Sequence, residues 1–107
     1  METMENNTGG FIYIISNPAF KNYFKIGITE NINDRLGAYQ TSSPHRNYKV
    51  EYYIFHPKYK IAEKKIHEMM KYFAKYRKNE WFECDLKIAI TRLDETLNDY
   101  SEGLYGT

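Results

Sequence analysis

Two short β-type runs open the patterned part of the chain: Gly10-Phe11-Ile12-Tyr13-Ile14-Ile15, closed by the turn signal Ser16-Asn17-Pro18, and Tyr23-Phe24-Lys25-Ile26-Gly27-Ile28. Runs rich in β-branched and aromatic residues, this close in sequence and separated by turn formers, predict an antiparallel hairpin with a loop at residues 17–22. A helix follows. Thr29 or Asn31 can cap it, because a short polar side chain accepts the orphaned amide hydrogens of a first turn. Ile32, Leu36 and Tyr39 then recur at helical spacing until Thr41-Ser42-Ser43-Pro44, and Arg35 falls eight residues after Gly27.

The later elements read in the same way. Tyr48 to Phe55 alternates as a third strand, with Tyr48, Val50, Tyr52 and Ile54 on one face and Lys49, Glu51, Tyr53 and Phe55 on the other. His56-Pro57 stops it. A second helix is expected from about Lys60 to Tyr76, burying Ala62, Ile66, Met69 and Phe73. Glu80-Trp81-Phe82-Glu83 is short and reads as a loop or edge strand with Trp81 as a core anchor. Asp85 caps a final helix to about Leu97, with Leu86, Ile90, Leu93 and Leu97 inward. The expected fold is a small α+β domain, a three-stranded antiparallel sheet flanked by about three helices. It spans residues 10–100, between a loose leader (1–9) and a C-terminal tail (101–107).

Composition narrows the setting. At 107 residues there is room for one domain. The single Cys84 excludes an intramolecular disulfide and a cysteine metal cluster, pointing to a reducing compartment, cytoplasmic, or nuclear in a eukaryotic host. No run approaches the roughly 18 apolar residues of a membrane span. The formal net charge of +1 hides segregation: residues 58–78 carry an excess of six positive charges and residues 79–102 an excess of five negative ones. Lys60, Lys64, Lys65, Lys71 and Lys75 would give helix two a face able to meet phosphates, or a merely solvated one.

The order of these pieces resembles the GIY-YIG nuclease superfamily over roughly residues 10–95. It is most similar to the phage and large-DNA-virus branch, whose marks appear here as Phe24-Lys25-Ile26-Gly27, Ala62-Glu63-Lys64-Lys65-Ile66-His67 and Glu80-Trp81-Phe82. The resemblance implies a metal-dependent endonuclease that hydrolyses DNA phosphodiester bonds. By it, Tyr13 matches the tyrosine that manages the attacking water or its proton, and Arg35 the arginine that holds the scissile phosphate. Glu63 matches the carboxylate that binds one divalent ion, magnesium or manganese. Tyr39 falls where the family directs a histidine or tyrosine at the site, and His67, one turn after Glu63, would orient that carboxylate or touch the phosphate.

The resemblance also departs from the superfamily pattern in two places, the first of them a change that the viral branch often carries. Lys25 stands where the family's second motif has tyrosine; a lysine is cationic near neutral pH, suited to phosphate charge and a poor base. Asn79 is the nearest match to an asparagine that the family often places by the site. Two other readings stay open: a DNA-binding accessory module that keeps the fold without efficient cleavage, and a protein-interaction domain, such as a small phage protein that blocks a host defence. DNA is the expected partner, with a second protein or a second copy as possibilities. A lysine-dense helix two leans toward nucleic acid, because protein interfaces are depleted in lysine.

Overall fold

The computed structural model of the chain describes residues 9–41, 47–73, 76–78 and 81–105. Along the chain they form β1 (Gly10–Ser16), β2 (Tyr23–Thr29), α1 (Ile32–Thr41), β3 (Lys49–His56), α2 (Tyr59–Phe73), β4 (Tyr76–Lys78), β5 (Trp81–Glu83) and α3 (Leu86–Tyr105). The strands make one sheet in the order β3-β1-β2-β5-β4, with every neighbouring pair antiparallel. The α+β class and the central three strands match the sequence expectation. Two short strands are additional: β5 pairs Trp81 with Lys25 and Glu83 with Tyr23, so it lies inside the sheet between β2 and β4 rather than at an edge. That pairing satisfies backbone groups that a bare β2 edge would leave to solvent.

Alternation along β1 and β2 separates two faces. Ile12, Ile14, Phe24 and Ile26 point to one side, where they form the core with Ala62, Ile66 and Met70 of α2 and Ala89, Leu93 and Leu97 of α3. Phe82 of β5 is fully buried in the same cluster, whereas Trp81 is only partly buried and meets Phe20 with ring centroids 5.6 Å apart. The core anchor is therefore Phe82, and Trp81 is a lateral prop.

The α2 stripe also differs from the expected one. Met70 is buried and Met69 partly so, and the helix ends at Phe73 because Tyr76–Lys78 has turned into β4. The side chain of Phe73 lies outside the described residues. On α3, Ala89 joins Leu93 and Leu97 inside, Leu86 and Ile90 pack at the margin, and the helix continues past Leu97 to Tyr105. The Tyr52 hydroxyl donates to Asp94 Oδ1 at 2.5 Å and so ties β3 to α3. Burial, then the bond to Asp94 and its charge, push the Tyr52 phenol up to about 12.

Helix α1 lies on the other face of the sheet. Asn31 caps it, with Oδ1 accepting from the Asp34 amide at 3.0 Å, while the Thr29 hydroxyl accepts from the Asn31 amide. At its far end the Gln40 carboxamide makes a two-way bridge to the backbone of Tyr48, donating to its carbonyl and accepting from its amide, each at 2.9 Å. Asp85 caps α3 by accepting from the Lys87 amide at 2.9 Å. Near the start of α2, His56 is buried and its Nδ1 accepts from the Lys58 amide at 2.9 Å; burial lowers its pKa below the usual 6.5.

A register shift between Ile14 and Ile15 breaks the simple alternation of β3, so that Tyr52 stands opposite Ile14 and Val50 opposite Ile15. Val50 consequently lines the α1 side of the sheet with Phe11 and Tyr53, and does not share a face with Tyr52 as strict alternation would have it.

Candidate active site

Tyr13 sits at the middle of the central strand, opposite Gly27 on β2 and Tyr53 on β3. Its side chain is on the α1 face and only 3% exposed. A β-carbon at Gly27 would come within 2.5 Å of the Tyr13 hydroxyl and 2.7 Å of Cζ, so the phenol lies across the glycine backbone. Any other residue at 27 would push the ring away. Glycine here is a matter of close approach rather than of unusual backbone angles.

The Tyr13 hydroxyl is 3.2 Å from the Tyr39 hydroxyl, and their rings meet edge to face at 6.4 Å. Tyr39 is held from behind by Tyr48, 5.0 Å away between centroids, beside the Gln40 bridge that fixes the end of α1. Lys25 Nζ stands 5.2 Å from the centre of the Tyr39 ring, within cation–π range. Tyr13, Tyr39 and Lys25, singled out separately in the sequence, thus meet at one place.

Arg35 lies one helical turn before Tyr39, on the same side of α1. It is exposed, and among the described residues its guanidinium pairs with neither Asp34 nor Glu30. Glu30 instead accepts from the Tyr59 hydroxyl at 3.2 Å. The local ion pair that could have explained the arginine is therefore not made.

Glu63 and His67 stand on α2, which packs on the sheet face opposite α1, and they approach β2 from that side. His67 Nε2 is 2.9 Å from the carbonyl oxygen of Ile26, the residue preceding Gly27. A carbonyl only accepts, so Nε2 carries the proton in this contact. Glu63 Oε2 is 3.6 Å from the same nitrogen, and each of the two side chains is about one-fifth exposed (21% and 19%). His67 also packs edge to face on Phe82, which fixes its ring. The Glu63–His67 pair is thereby anchored to β2 one residue from the point that the Tyr13 phenol crosses.

The donor set bears on a divalent ion. Among the described residues, no three His, Cys, Asp or Glu gather into one group. Fewer than three such donors therefore gather around Glu63 among the described residues. That donor set does not fit a structural zinc, which takes about four protein ligands, and would leave a hard ion such as magnesium or manganese to waters and substrate oxygens.

The lysines of α2 divide. Lys60, Lys64 and Lys71 are exposed and recur with His67 at steps of four, three and four, a single stripe flanking the Glu63–His67 pair. Lys60 also lies 5.9 Å over the Tyr59 ring. Lys65 is exposed on another side of the helix, away from that stripe. Lys75 and Asn79 lie outside the described residues. Gly27 and the Ile26 carbonyl are the parts that residue-by-residue reading passed over as chemistry; the signals were the glycine inside the second motif and the Glu63/His67 spacing of one turn.

Searches of curated proteins and of solved structures gave no match to this chain. A family model for the T5orf172 domain matches residues 10–101, from the first residue of β1 into the last turns of α3. With nearly the whole patterned chain inside that match, the protein belongs to the T5orf172 domain family.

Proposed function

We propose that the protein is a divalent-metal-dependent endonuclease that hydrolyses DNA phosphodiester bonds, working at the Tyr13–Tyr39–Lys25 cluster with Arg35 and Glu63. The T5orf172 domain is associated with GIY-YIG-like and phage nuclease-type proteins, which makes a nuclease-like or DNA-binding role the coarse reading. The observation that carries the finer one is the Tyr13 phenol laid across Gly27 and hydrogen-bonded to Tyr39, beside a lysine. A core tyrosine needs one partner for its hydroxyl; it does not need that partner to be a half-buried phenol with a cation over its ring.

In this reading water attacks phosphorus, the bond to the leaving oxygen breaks, and that oxygen takes a proton from solvent. The paired phenols relay the proton of the attacking water, each giving up its own as it accepts one, and the last passes to solvent. Lys25 and Arg35 hold the non-bridging oxygens, whose negative charge grows in the transition state. Glu63 would hold the divalent ion, with the ring of His67 beside it, 3.6 Å away at Nε2 and fixed by donation of that N–H to the Ile26 carbonyl. The ion, when bound, supplies Lewis-acid polarisation of the phosphate. Lys60, Lys64 and Lys71 extend the positive surface along the backbone of the DNA.

Lysine in place of the motif's tyrosine is a poor base, which bears on the proton path alone; the second reading is a DNA-binding module that does not cleave. Incubation with supercoiled plasmid, with and without magnesium or manganese, separates the two. The nuclease reading expects nicking that needs the ion and disappears in a folded Glu63→Ala protein. Metal-independent nicking, or full nicking by Glu63→Ala, removes the metal assignment, and no nicking by the wild type leaves the binding module.

A further inference from the structure

The sheet face that carries Tyr13 continues onto β3 as an aromatic surface that the proposed chemistry leaves unused. Tyr53 and Phe55 are 56% and 51% exposed, although both sit in the body of a regular strand. Phe11 stands between them, with centroids 5.8 Å from Tyr53 and 5.6 Å from Phe55 and interplanar angles of 70° and 76°. Both contacts are edge to face rather than parallel stacks. Single exposed aromatics need no explanation, but three in contact on one strand pair form a patch, and such patches mark binding surfaces.

Next to this patch is a cleft of about 430 Å³ between α1 and β3, lined by Phe11, Tyr53, Leu36, Asn31 and Asn33 among others. Its size falls in the range of roughly 300–1,000 Å³ usual for small-ligand sites. Aromatic and aliphatic walls with carboxamides at the rim suit a flat heteroaromatic ring that also carries hydrogen-bonding edges. A peptide side chain would make poorer use of the asparagines. Position constrains the rest: Tyr53 is the cross-strand partner of Tyr13, and such partners have Cα atoms about 4.5–5.5 Å apart. The Tyr13 phenol itself leans the other way, across Gly27 on β2, so a nucleotide whose phosphate meets its hydroxyl would have to span β1 to place its base at Tyr53. A base paired inside a duplex presents only its edge, so the ring faces of the cleft can be used only by a base out of the stack.

We propose that the α1–β3 cleft is a base-stacking subsite, which takes an unpaired nucleobase of the DNA strand held at Tyr13 and packs it against Phe11 and Tyr53. It rests on the DNA reading above and narrows the substrate to strands with unpaired nucleotides, such as single strands, bubbles or frayed ends.

The test is binding, measured by fluorescence anisotropy, of a short labelled oligothymidylate and of an all-abasic oligomer with the same number of phosphates. Equal phosphate counts cancel the electrostatic part. Stacking of one base is typically worth about 5- to 150-fold in affinity, so the wild type should prefer the base-bearing oligomer by a factor in that range. Tyr53→Ala should bring that preference down to near unity with an unchanged salt slope, and Tyr53→Trp should keep it. Equal affinity of the wild type for the two oligomers, or an undiminished preference in Tyr53→Ala, overturns the subsite. Because Tyr53 is largely exposed, its truncation should leave the far-ultraviolet circular dichroism unchanged. Plasmid cleavage is read independently: cleavage without base preference sinks the subsite alone, and base preference without cleavage sinks the nuclease alone.

Discussion

The hydroxyls of Tyr13 and Tyr39 are 3.2 Å apart although the residues are separated by 26 positions and come from different elements, a central strand and the first helix. If the two phenols act as one proton path, their loss should not be additive. Removal of a positioned proton-transfer group costs about 10²–10⁴ in rate. We expect Tyr13→Phe and Tyr39→Phe each to fall within that range in single-turnover cleavage, and the double variant to fall little further. Each loses the hydroxyl–hydroxyl contact, and a hydrogen bond costs about 0.5–1.5 kcal/mol, so melting temperatures should move little by comparison. Rates that multiply in the double variant would make the two hydroxyls independent and break the shared path.

Gly27→Ala tests the close approach. Its new methyl would lie 2.5 Å from the Tyr13 hydroxyl and 2.7 Å from Cζ, distances that require the ring to move. Overpacking of this kind costs about 1–3 kcal/mol. Activity should suffer more than stability, since the displaced atom is the one proposed to handle the proton. Tyr13→Ala should relieve the clash, so the stability loss of Gly27→Ala on that background should shrink markedly. An equal loss on both backgrounds would mean that the methyl meets something other than Tyr13.

His56 supplies a pH dependence that does not involve catalysis. Burial lowers its pKa in the folded protein, so the unfolded chain binds the proton more readily. Stability from this residue is therefore intact above the unfolded value of about 6.5 and is lost as pH falls below it. The Nδ1 acceptor for the Lys58 amide is lost at the same time. His56→Gln keeps an acceptor and removes the titration. Between about pH 7 and 5 the melting temperature of the wild type should fall more steeply than that of His56→Gln. Parallel curves would remove His56 as the source.

How much of this was legible beforehand follows from the range of each signal. The hairpin, the caps at Asn31 and Asp85 and the Glu63/His67 turn are local, set by neighbours within four residues, and they were read directly. Strands β4 and β5 escape a local pattern because three residues carry too little periodicity, and the interior place of β5 depends on pairing with β2 across more than fifty residues. Trp81 was misjudged for a related reason: in so short a strand nothing local says whether position 81 or 82 faces the core. The β3 register shift is likewise invisible without the partner strand. Tyr39 could be read as packing or as a site residue, and its contact with Tyr13, made across 26 positions, lies beyond the reach of any local pattern.

The α2 lysines yield the sharpest electrostatic test, because helical geometry divides candidates that composition lumps together. Lys60, Lys64 and Lys71 share a stripe with His67 beside the proposed site, while Lys65 is exposed on another side. Each phosphate neutralised on duplex DNA contributes about −0.9 to the slope of log affinity against log salt concentration. Replacing the three stripe lysines by glutamine should flatten the slope by about 0.9 for every contact that is lost, and weaken binding to all sequences alike. Lys65→Gln should leave the slope unchanged, although it removes the same charge from the same helix. The comparison distinguishes a docked backbone from a diffuse attraction, for which any lysine would count equally. Equal effects from Lys65 and from a single stripe lysine would show that α2 is a solvated basic helix, and DNA would then have to approach the Tyr13 cluster from the α1 side, where Arg35 is the exposed cation.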